Sequence, residues 1–268
     1  MKDLEGRVAL VTGAARGMGR AFSIEFARRG AMVVGIDACR ETAPVTYPEA
    51  TKADLDETVR LVEAAGSKMV GIVGDVRDQS ALDGAVAEAK KLGPLRIVVA
   101  NAGVAFWKLT WELTEDEWSN MVDINLNGVW RTFKAAIPTM IEHGQGGSII
   151  AISSVAGIKA LPGQAHYTAA KHGVVGLVKT AAIELGPHNI RVNSVHPWGV
   201  NTTISQHSDI MEHLGGNMHF VPSYSSVLAA PPIAEPQDLA DMVGFLASDA
   251  SRCITGSQMK VDMGATIV

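Results

Sequence analysis

Of the 268 residues only two are cysteines, Cys39 and Cys253, and neither lies in a Cys-x-x-Cys pair. A disulfide framework and a cysteine-ligated metal site are therefore excluded as organising features. No apolar run approaches the ~18 residues that a membrane span needs. The basic excess of a polynucleotide-binding surface is missing too, since 23 lysines and arginines face 28 acids and are scattered along the chain. The opening stretch MKDLEGRVALVTG has acids near its start and only VALV as an apolar run, so no three-part signal peptide is expected and a cytoplasmic location follows as the expectation. What is present is an ordinary globular composition, 47% hydrophobic and 19% charged. That length is within reach of one large α/β domain, so residues 1–268 are expected to form a single unit.

Short β-rich runs recur as RVALVTG, MVVGID, KMVGIVGD, LRIVVANAG, GSIIAISS, IRVNSVHP and SQMKVD, separated by stretches whose apolar residues return at helical spacing. Nearly continuous apolar strands suit a parallel sheet covered on both faces by helices, with right-handed crossovers. The expected fold is therefore α/β, a Rossmann-type doubly wound parallel sheet of about seven strands. Two connections are long, residues 38–57 and 202–236, and loops beyond ~12–15 residues are usually functional or disordered.

After the first strand, VTGAARGMGRA places Gly13, Gly17 and Gly19 where backbone turns sharply and opens a helix. Exposed N–H groups and the positive helix end attract a pyrophosphate there, and the absent side chains let it approach. A tight strand-to-helix corner would use the same glycines. Asp37 shifts the balance towards a dinucleotide, because an acid ending the second strand about 20 residues further on accepts hydrogen bonds from the adenosine ribose and repels a 2′-phosphate. NAD is the expected cofactor. Arg16 and Arg40 are the opposing signal, since a guanidinium can pair with the phosphate of NADP. Downstream, YTAAK sets Tyr167 and Lys171 on one helical face. An ammonium beside a phenol favours phenolate and brings its pKa towards the working range. Ser154, expected to end the strand GSIIAISS, lies at the carboxyl edge of the sheet, where its hydroxyl can bond a substrate oxygen.

Taken together, TGAARGMG, the NAG of Asn101 to Gly103, NLNG from Asn125, Ser154 and YTAAK closely resemble the short-chain dehydrogenase/reductase family over nearly the whole chain. The resemblance implies that Tyr167 is the acid/base, that Ser154 orients the reacting oxygen, and that Lys171 lowers the phenol pKa while holding the nicotinamide ribose. It implies that Asn125 holds a water in a proton relay. Gly13, Arg16, Gly17, Met18 and Gly19 would cradle the cofactor, Asp75 and Val76 would face its adenine, Asn101, Ala102 and Gly103 would line it, and Pro197 and Thr202 would meet its nicotinamide end. In HPWGVNT the family's usual glycine after the proline is replaced by Trp198, which puts close backbone approach in doubt and offers an aromatic wall instead. Met263 stands where a second glycine is common. IDACRE with its proline-containing insertion, VANAG, AAKHGVVGL and NSVHPWGVNT resemble the actinobacterial mycofactocin-associated, carveol dehydrogenase-like members, which depend on an external peptide-derived electron carrier.

The function expected is NAD-dependent oxidation of a secondary alcohol, or reduction of its ketone. Ile204, Met211, Leu214, Phe220, Val221 and Tyr224, in a segment almost without cations, point to a compact apolar substrate, with terpene-like alcohols such as carveol among those that fit. A non-catalytic NAD-binding regulator of the same fold and an NADP-preferring ketone reductase are the alternatives. No metal site is expected, because His207, Glu212, His213 and His219 lack ligand spacing. Trp107 is an even candidate for meeting substrate, whereas Trp111 and Trp118 suit packing, and TEDE reads as a helix start. The helix after Tyr167 is apolar on nearly every side, so a homotetramer built through it, through the helix after Asn125 and through the C-terminal VDMGATIV is expected. Residues 38–57 are expected to fold over the adenosine half of NAD as a lid, stiffened by Pro44 and Pro48, with Val45 and Tyr47 turned inward.

Overall fold

The computed structural model describes residues 2–42, 45, 47–206 and 210–268, with the side chains of Met211 and Leu214 excepted. Pro44, His207 and those two side chains therefore lie outside the described residues. The seven apolar runs form seven parallel strands, β1 Val8–Thr12, β2 Met32–Asp37, β3 Met69–Val73, β4 Leu95–Ala100, β5 Gly147–Ile152, β6 Ile190–Pro197 and β7 Gln258–Val261. Their order is β3-β2-β1-β4-β5-β6-β7. The chain winds outward in one direction from β1 and in the other from β4, so the sheet changes direction between these two neighbours. A crevice opens at the carboxyl ends of the strands at such a switch point.

Every residue of β1 is buried, and so are four of the six in β2, as strands covered on both faces require. One cover is made by α3 (Gln79–Leu92), α4 (Glu115–Val122), α5 (Gly128–His143) and α6 (Ala165–Leu185), which pack Leu82, Met121, Phe133 and Val174 onto the sheet. The other is made by α1 (Gly17–Arg28), α2 (Lys52–Ala64) and α9 (Pro236–Ala247), through Phe22, Phe26, Leu55 and Leu239. No helix among the described residues is long and apolar enough to cross a membrane.

Three boundaries differ from expectation. The first long connection ends at Thr51, not residue 57, because Thr51 and Asp54 form a reciprocal capping box that starts α2. The second contains helical structure, α7 (Thr203–Gln206), α8 (Ile210–Gly216) and a 3-10 segment at Met218–Tyr224, before α9 starts at Pro236. Strand β5 stops at Ile152, so Ser154 lies beyond the strand and caps a 3-10 turn by accepting the N–H of Ala156. The TEDE segment does start a helix, with Thr114 and Glu117 forming its capping box.

Candidate active site

The floor of the site is the corner between β1 and α1. Gly13 and Gly17 take φ of +67° and +54°, the left-handed region that glycine enters without steric cost. At Gly19 the constraint is proximity, since a Cβ there would stand 2.0 Å from the carbonyl oxygen of Gly13. Asn101 ties this corner to the end of β4, its amide donating to the carbonyls of Thr12 and Gly13 at 2.9 and 3.2 Å. The Thr12 hydroxyl accepts the backbone N–H groups of Asn101 and Ala102 in return. Asp37 accepts the N–H of Ala15 on one oxygen and that of Cys39 on the other, and burial raises its carboxyl above the usual range.

A cavity runs along this floor, lined by Gly13, Arg16, Gly17, Met18, Gly19, Asp37, Asp75, Val76, Asn101, Ala102, Gly103 and Thr202, every one of them expected at a cofactor. The cavity fits a dinucleotide on two observations: side chains are sterically forbidden where a pyrophosphate would lie, and an acid closes the second strand. Both arginines that could favour a 2′-phosphate are engaged elsewhere. Arg16 donates to the carbonyl of Pro48 at 2.6 Å, and Arg40 pairs with Asp75 at 3.3 Å. Burial pushes the Asp75 carboxyl up, but the hydrogen bonds and charge of Arg77 outweigh it and hold it below the usual range.

The connection after β2 meets this cavity through Ala38, Thr42, Tyr47, Glu49 and Ala50, which line it. Tyr47 is only 5% exposed, and its hydroxyl accepts the N–H of Ala105 at 3.1 Å across the site. Val45 packs against the core, as an inward-facing residue should. The Thr42 carbonyl accepts from Arg77 and Asn120, and Glu49 accepts both the N–H and the hydroxyl of Thr42.

A second cavity continues from the first and shares Met18, Asn101, Gly103 and Thr202 with it. Asn125, Ser154, Tyr167, Lys171 and Pro197 line it, so the structure brings all the expected site residues to one crevice. Ser154 and Tyr167 line it together, near enough for the serine hydroxyl to act on the phenol. Lys171 donates to the Ile152 carbonyl at 2.9 Å, with its ammonium 5.4 Å from the centre of the Tyr167 ring. The phenol does not follow the expected direction: burial pushes Tyr167 up to about 12, the Ser154 hydroxyl opposing it, and burial pushes Lys171 down to about 7. In so dry a place desolvation of charge outweighs the attraction of the neighbour.

Asn125 sits in a π-helical turn, Asp123–Asn127, between α4 and α5. Such turns re-aim side chains inside helices and recur at functional sites. Its amide donates to the carbonyls of Val104 and Met121, while its buried Oδ1 has no protein partner. The rest of the second cavity is largely apolar, with Val104, Leu161, Ile204 and Ile210 in its wall. Trp107, Trp198 and Tyr224 form an aromatic side: the Trp107 indole donates to the Tyr224 hydroxyl at 3.1 Å, and the rings of Trp198 and Tyr224 lie 5.9 Å apart. Trp198 thus supplies an aromatic wall, and the adjacent Gly199 takes the positive φ. Met263 also has a left-handed φ of +52°, in a position where glycine would be unstrained. Trp111, by contrast, is 79% exposed and lies away from both cavities.

Sequence reasoning missed Gln164 and Leu161 in the second cavity, and His196 behind it. His196 engages the Ser154 carbonyl at 2.7 Å and the Ser194 hydroxyl at 2.9 Å, fixing the backbone that carries the serine. A histidine inside an apolar strand carries no mark of that contact. Among the described residues no group of three or more His, Cys, Asp or Glu is arranged to hold a metal ion.

This fold and crevice define a nucleotide-binding oxidoreductase architecture. Residues 13–266 match a family described as enoyl-(acyl carrier protein) reductase, and the chain belongs to the short-chain dehydrogenase/reductase family. It is 45% identical over 266 residues to an uncharacterized NAD-dependent oxidoreductase of Mycobacterium tuberculosis, covering 98% of this chain and 97% of the relative. It is 41% identical over 276 residues to the (-)-trans-carveol dehydrogenase of Rhodococcus erythropolis, along the whole of both chains. Among solved structures, a short-chain dehydrogenase from Mycobacterium paratuberculosis bound to NAD superposes with a TM-score of 0.95 at 45% identity, over 99% of this chain and 100% of that one. A carveol dehydrogenase from Mycobacterium avium in complex with NAD gives 0.94 at 40% identity, over 99% of each chain.

The same burial makes stability depend on pH. His166 is fully buried with neither ring nitrogen partnered and its ring edge-on to Phe106 at 4.5 Å. Burial lowers His166 and His196 to about 4, while a histidine in the unfolded chain titrates near ~6.5. Between these values the unfolded state holds more protons, so stability falls as pH drops from about 6.5 towards 4, by roughly 2 kcal/mol per histidine. Urea unfolding of His166→Leu should show a shallower loss over this window than the parent protein. An unchanged slope would show that His166 is not held neutral by the fold.

Proposed function

We propose that the protein oxidises a compact, apolar secondary alcohol to its ketone, with Tyr167 as proton acceptor and NAD as tightly held cofactor. The chain is an NAD-dependent oxidoreductase. The observation that carries the reading is the meeting of Ser154, Tyr167 and Lys171 in one apolar cavity that opens directly into the glycine-floored one.

NAD is held in this reading by Gly13, Arg16, Gly17, Met18, Gly19, Asp37, Asp75, Val76, Asn101, Ala102, Gly103, Pro197, Thr202, Tyr167 and Lys171. When bound it supplies the hydride acceptor and, in its oxidised form, a positive charge. Ser154 orients the substrate oxygen and Tyr167 takes its proton. A phenol pushed to about 12 by burial holds its proton firmly, so added positive charge, from the cofactor and from protonated Lys171, is what makes the phenolate accessible. Lys171, lowered to about 7, can itself exchange a proton near neutrality. The unpartnered Oδ1 of Asn125 can accept from a water that passes the proton on.

For the substrate, the support is that Lys171 is the only charged residue lining the second cavity among the described residues. A phosphate or coenzyme A ester would find no cation there besides Lys171, which already donates to the Ile152 carbonyl, whereas a terpene-like alcohol would be enclosed by Trp107, Trp198 and Tyr224. The relative named as a carveol dehydrogenase acts on such an alcohol. A dye-linked screen of secondary alcohols tests this, and a non-catalytic regulator would reduce no dye with any of them. A cytoplasmic setting belongs to the same proposal.

Tyr167→Phe keeps the ring and removes the exchangeable proton. Turnover is expected to fall 10²–10⁴-fold while NAD binding persists, and survival of more than about a tenth of the rate would reject Tyr167 as the acid/base.

The excursion at residues 38–51 acts as a lid, its inward anchor being Tyr47 on Ala105. If escape is slower than turnover, the reduced cofactor is reoxidised in place by an external carrier, as in the mycofactocin-associated members that the sequence resembles. Purified protein should then keep NAD through desalting and reduce a dye with its alcohol, yet release almost no NADH into excess free NAD. Shortening the segment between Arg40 and Lys52 should restore exchange. Sustained NADH release by the intact enzyme, matching dye reduction, would reject the lid.

Assembly as a homotetramer is the remaining part. Ile183 on α6 is 79% exposed, and Trp130 on α5 and the terminal Ile267 and Val268 are exposed as well, apolar surface of the kind that subunit contacts cover. Light scattering at micromolar concentration should give four subunits, and a monomer would remove this element.

A further inference from the structure

A second cavity system lies at the opposite edge of the sheet, on the order of 20 Å from the catalytic crevice, one strand length away. It is formed where the amino ends of four neighbouring strands meet. Arg7 precedes β1, Arg96 is the second residue of β4, Gly147 opens β5 and Arg191 is the second residue of β6, with Arg252 at the rim. One carboxylate, Asp249, faces these four guanidinium groups.

Two neighbours of Arg96 already have partners. Arg7 donates to Asp249 at 2.6 Å and to the Ala247 carbonyl at 3.2 Å. Arg191 donates to the Ser251 hydroxyl and to the carbonyls of Leu246 and Ser248. The Arg96 side chain has no hydrogen bond or ion pair with any described residue, and its Nε is buried without an acceptor. A buried donor without a partner and like charges held close together are both unfavourable. The Asp249 side chain is mostly exposed and already taken by Arg7, so it offsets one charge at most.

We propose that this pocket binds a phosphate-type oxyanion, with Arg96 as its principal ligand and Arg7, Arg191 and Arg252 completing the positive surround. The planar guanidinium fork matches the spacing of phosphate oxygens, which is why arginine is favoured for such groups. The anion would satisfy the Arg96 donor and neutralise the excess charge in one step. None of these residues lines the catalytic crevice, so the site is independent of the proposed reaction.

Thermal unfolding of the full chain, with NAD saturating in every sample so that the glycine loop is filled, tests this. Inorganic phosphate is titrated against chloride at matched ionic strength. A saturable rise in Tm of about 2–3 °C is expected once phosphate is tenfold above its Kd. Arg96→Gln should lose most of that rise, while its Tm without phosphate stays at or above the parent value because repulsion is relieved. Arg252→Gln should weaken it, and Arg28→Gln, on a distant helix, should keep it. Glycerol 3-phosphate forms a second arm: tighter saturation than inorganic phosphate assigns an organic phosphate, and equal saturation assigns the free ion. A rise equal to that in chloride, or one unchanged in Arg96→Gln and Arg252→Gln, would overturn the proposal.

Discussion

The closeness of two strand ends governs the rest of the molecule. β1 and β4 are neighbours in the sheet but mark the point where it changes direction, and their ends are clasped by Asn101 on Thr12 and Gly13. The clasp leaves no room for a Cβ at Gly13 or Gly19, where one would come within 2.9 Å of Asn101. Glycine at these positions is therefore a steric requirement of the sheet itself as well as of any phosphate bound above it. Because α1 begins at this corner and the Asn101–Gly103 turn leaves it, both cavities inherit their positions from the clasp. A side chain inserted there would move the cofactor floor and the catalytic wall together.

Burial explains the chemistry better than proximity does. The spacing of Tyr167 and Lys171 suggests a phenol made acidic by its neighbour, yet desolvation acts on both groups and disfavours charge on each. The pair is thus poised with little charge of its own, and its acidity responds strongly to any charge brought into the crevice, because attraction grows as the dielectric falls. A dry site with few fixed charges is also what an apolar alcohol requires. On the proposed reading, the same property that keeps the phenol protonated in isolation would also favour an apolar substrate.

Much of this was legible in the sequence because the decisive features are local. The seven strands are continuous apolar runs, and the glycine corner, Asp37, Ser154 and the Tyr167–Lys171 pair each carry their meaning in residue type and spacing. Boundaries were less legible where a polar signal was overlooked: Thr51 and Asp54 already spell a capping box, which shortens the excursion by six residues relative to the expected 38–57. The π-helical turn at Asn125 was not legible at all, since one extra residue in a helical turn leaves the hydrophobic period nearly intact. Nor was the contact of His196 with Ser154, which depends on the register of β5 beside β6. Arg96 is a similar case. Along the chain it is one cation at the start of a strand, and only the alignment of four strand ends sets it beside Arg7 and Arg191.

The excursion after Asp37 shows how a fixed scaffold acquires a property of its own. Its two ends are pinned by the end of β2 and by the Thr51 cap, so closing it over the cavity brings a modest entropic cost that grows only slowly with length. Against that cost stand the burial of Tyr47, its hydrogen bond to Ala105, the Arg16 bond to Pro48 and the paired contacts of Thr42 with Glu49, Arg77 and Asn120. Each is worth roughly 1 kcal/mol or somewhat more, and they fall on three separate parts of the fold: the glycine corner, the segment after β4, and the region around α4. Opening the strap for release of a ligand beneath it requires these contacts to break together, whereas the adjoining apolar cavity is walled by other residues. On the proposed reading the two halves of the crevice would then exchange their contents at different rates, slowly beneath the strap and faster beside it.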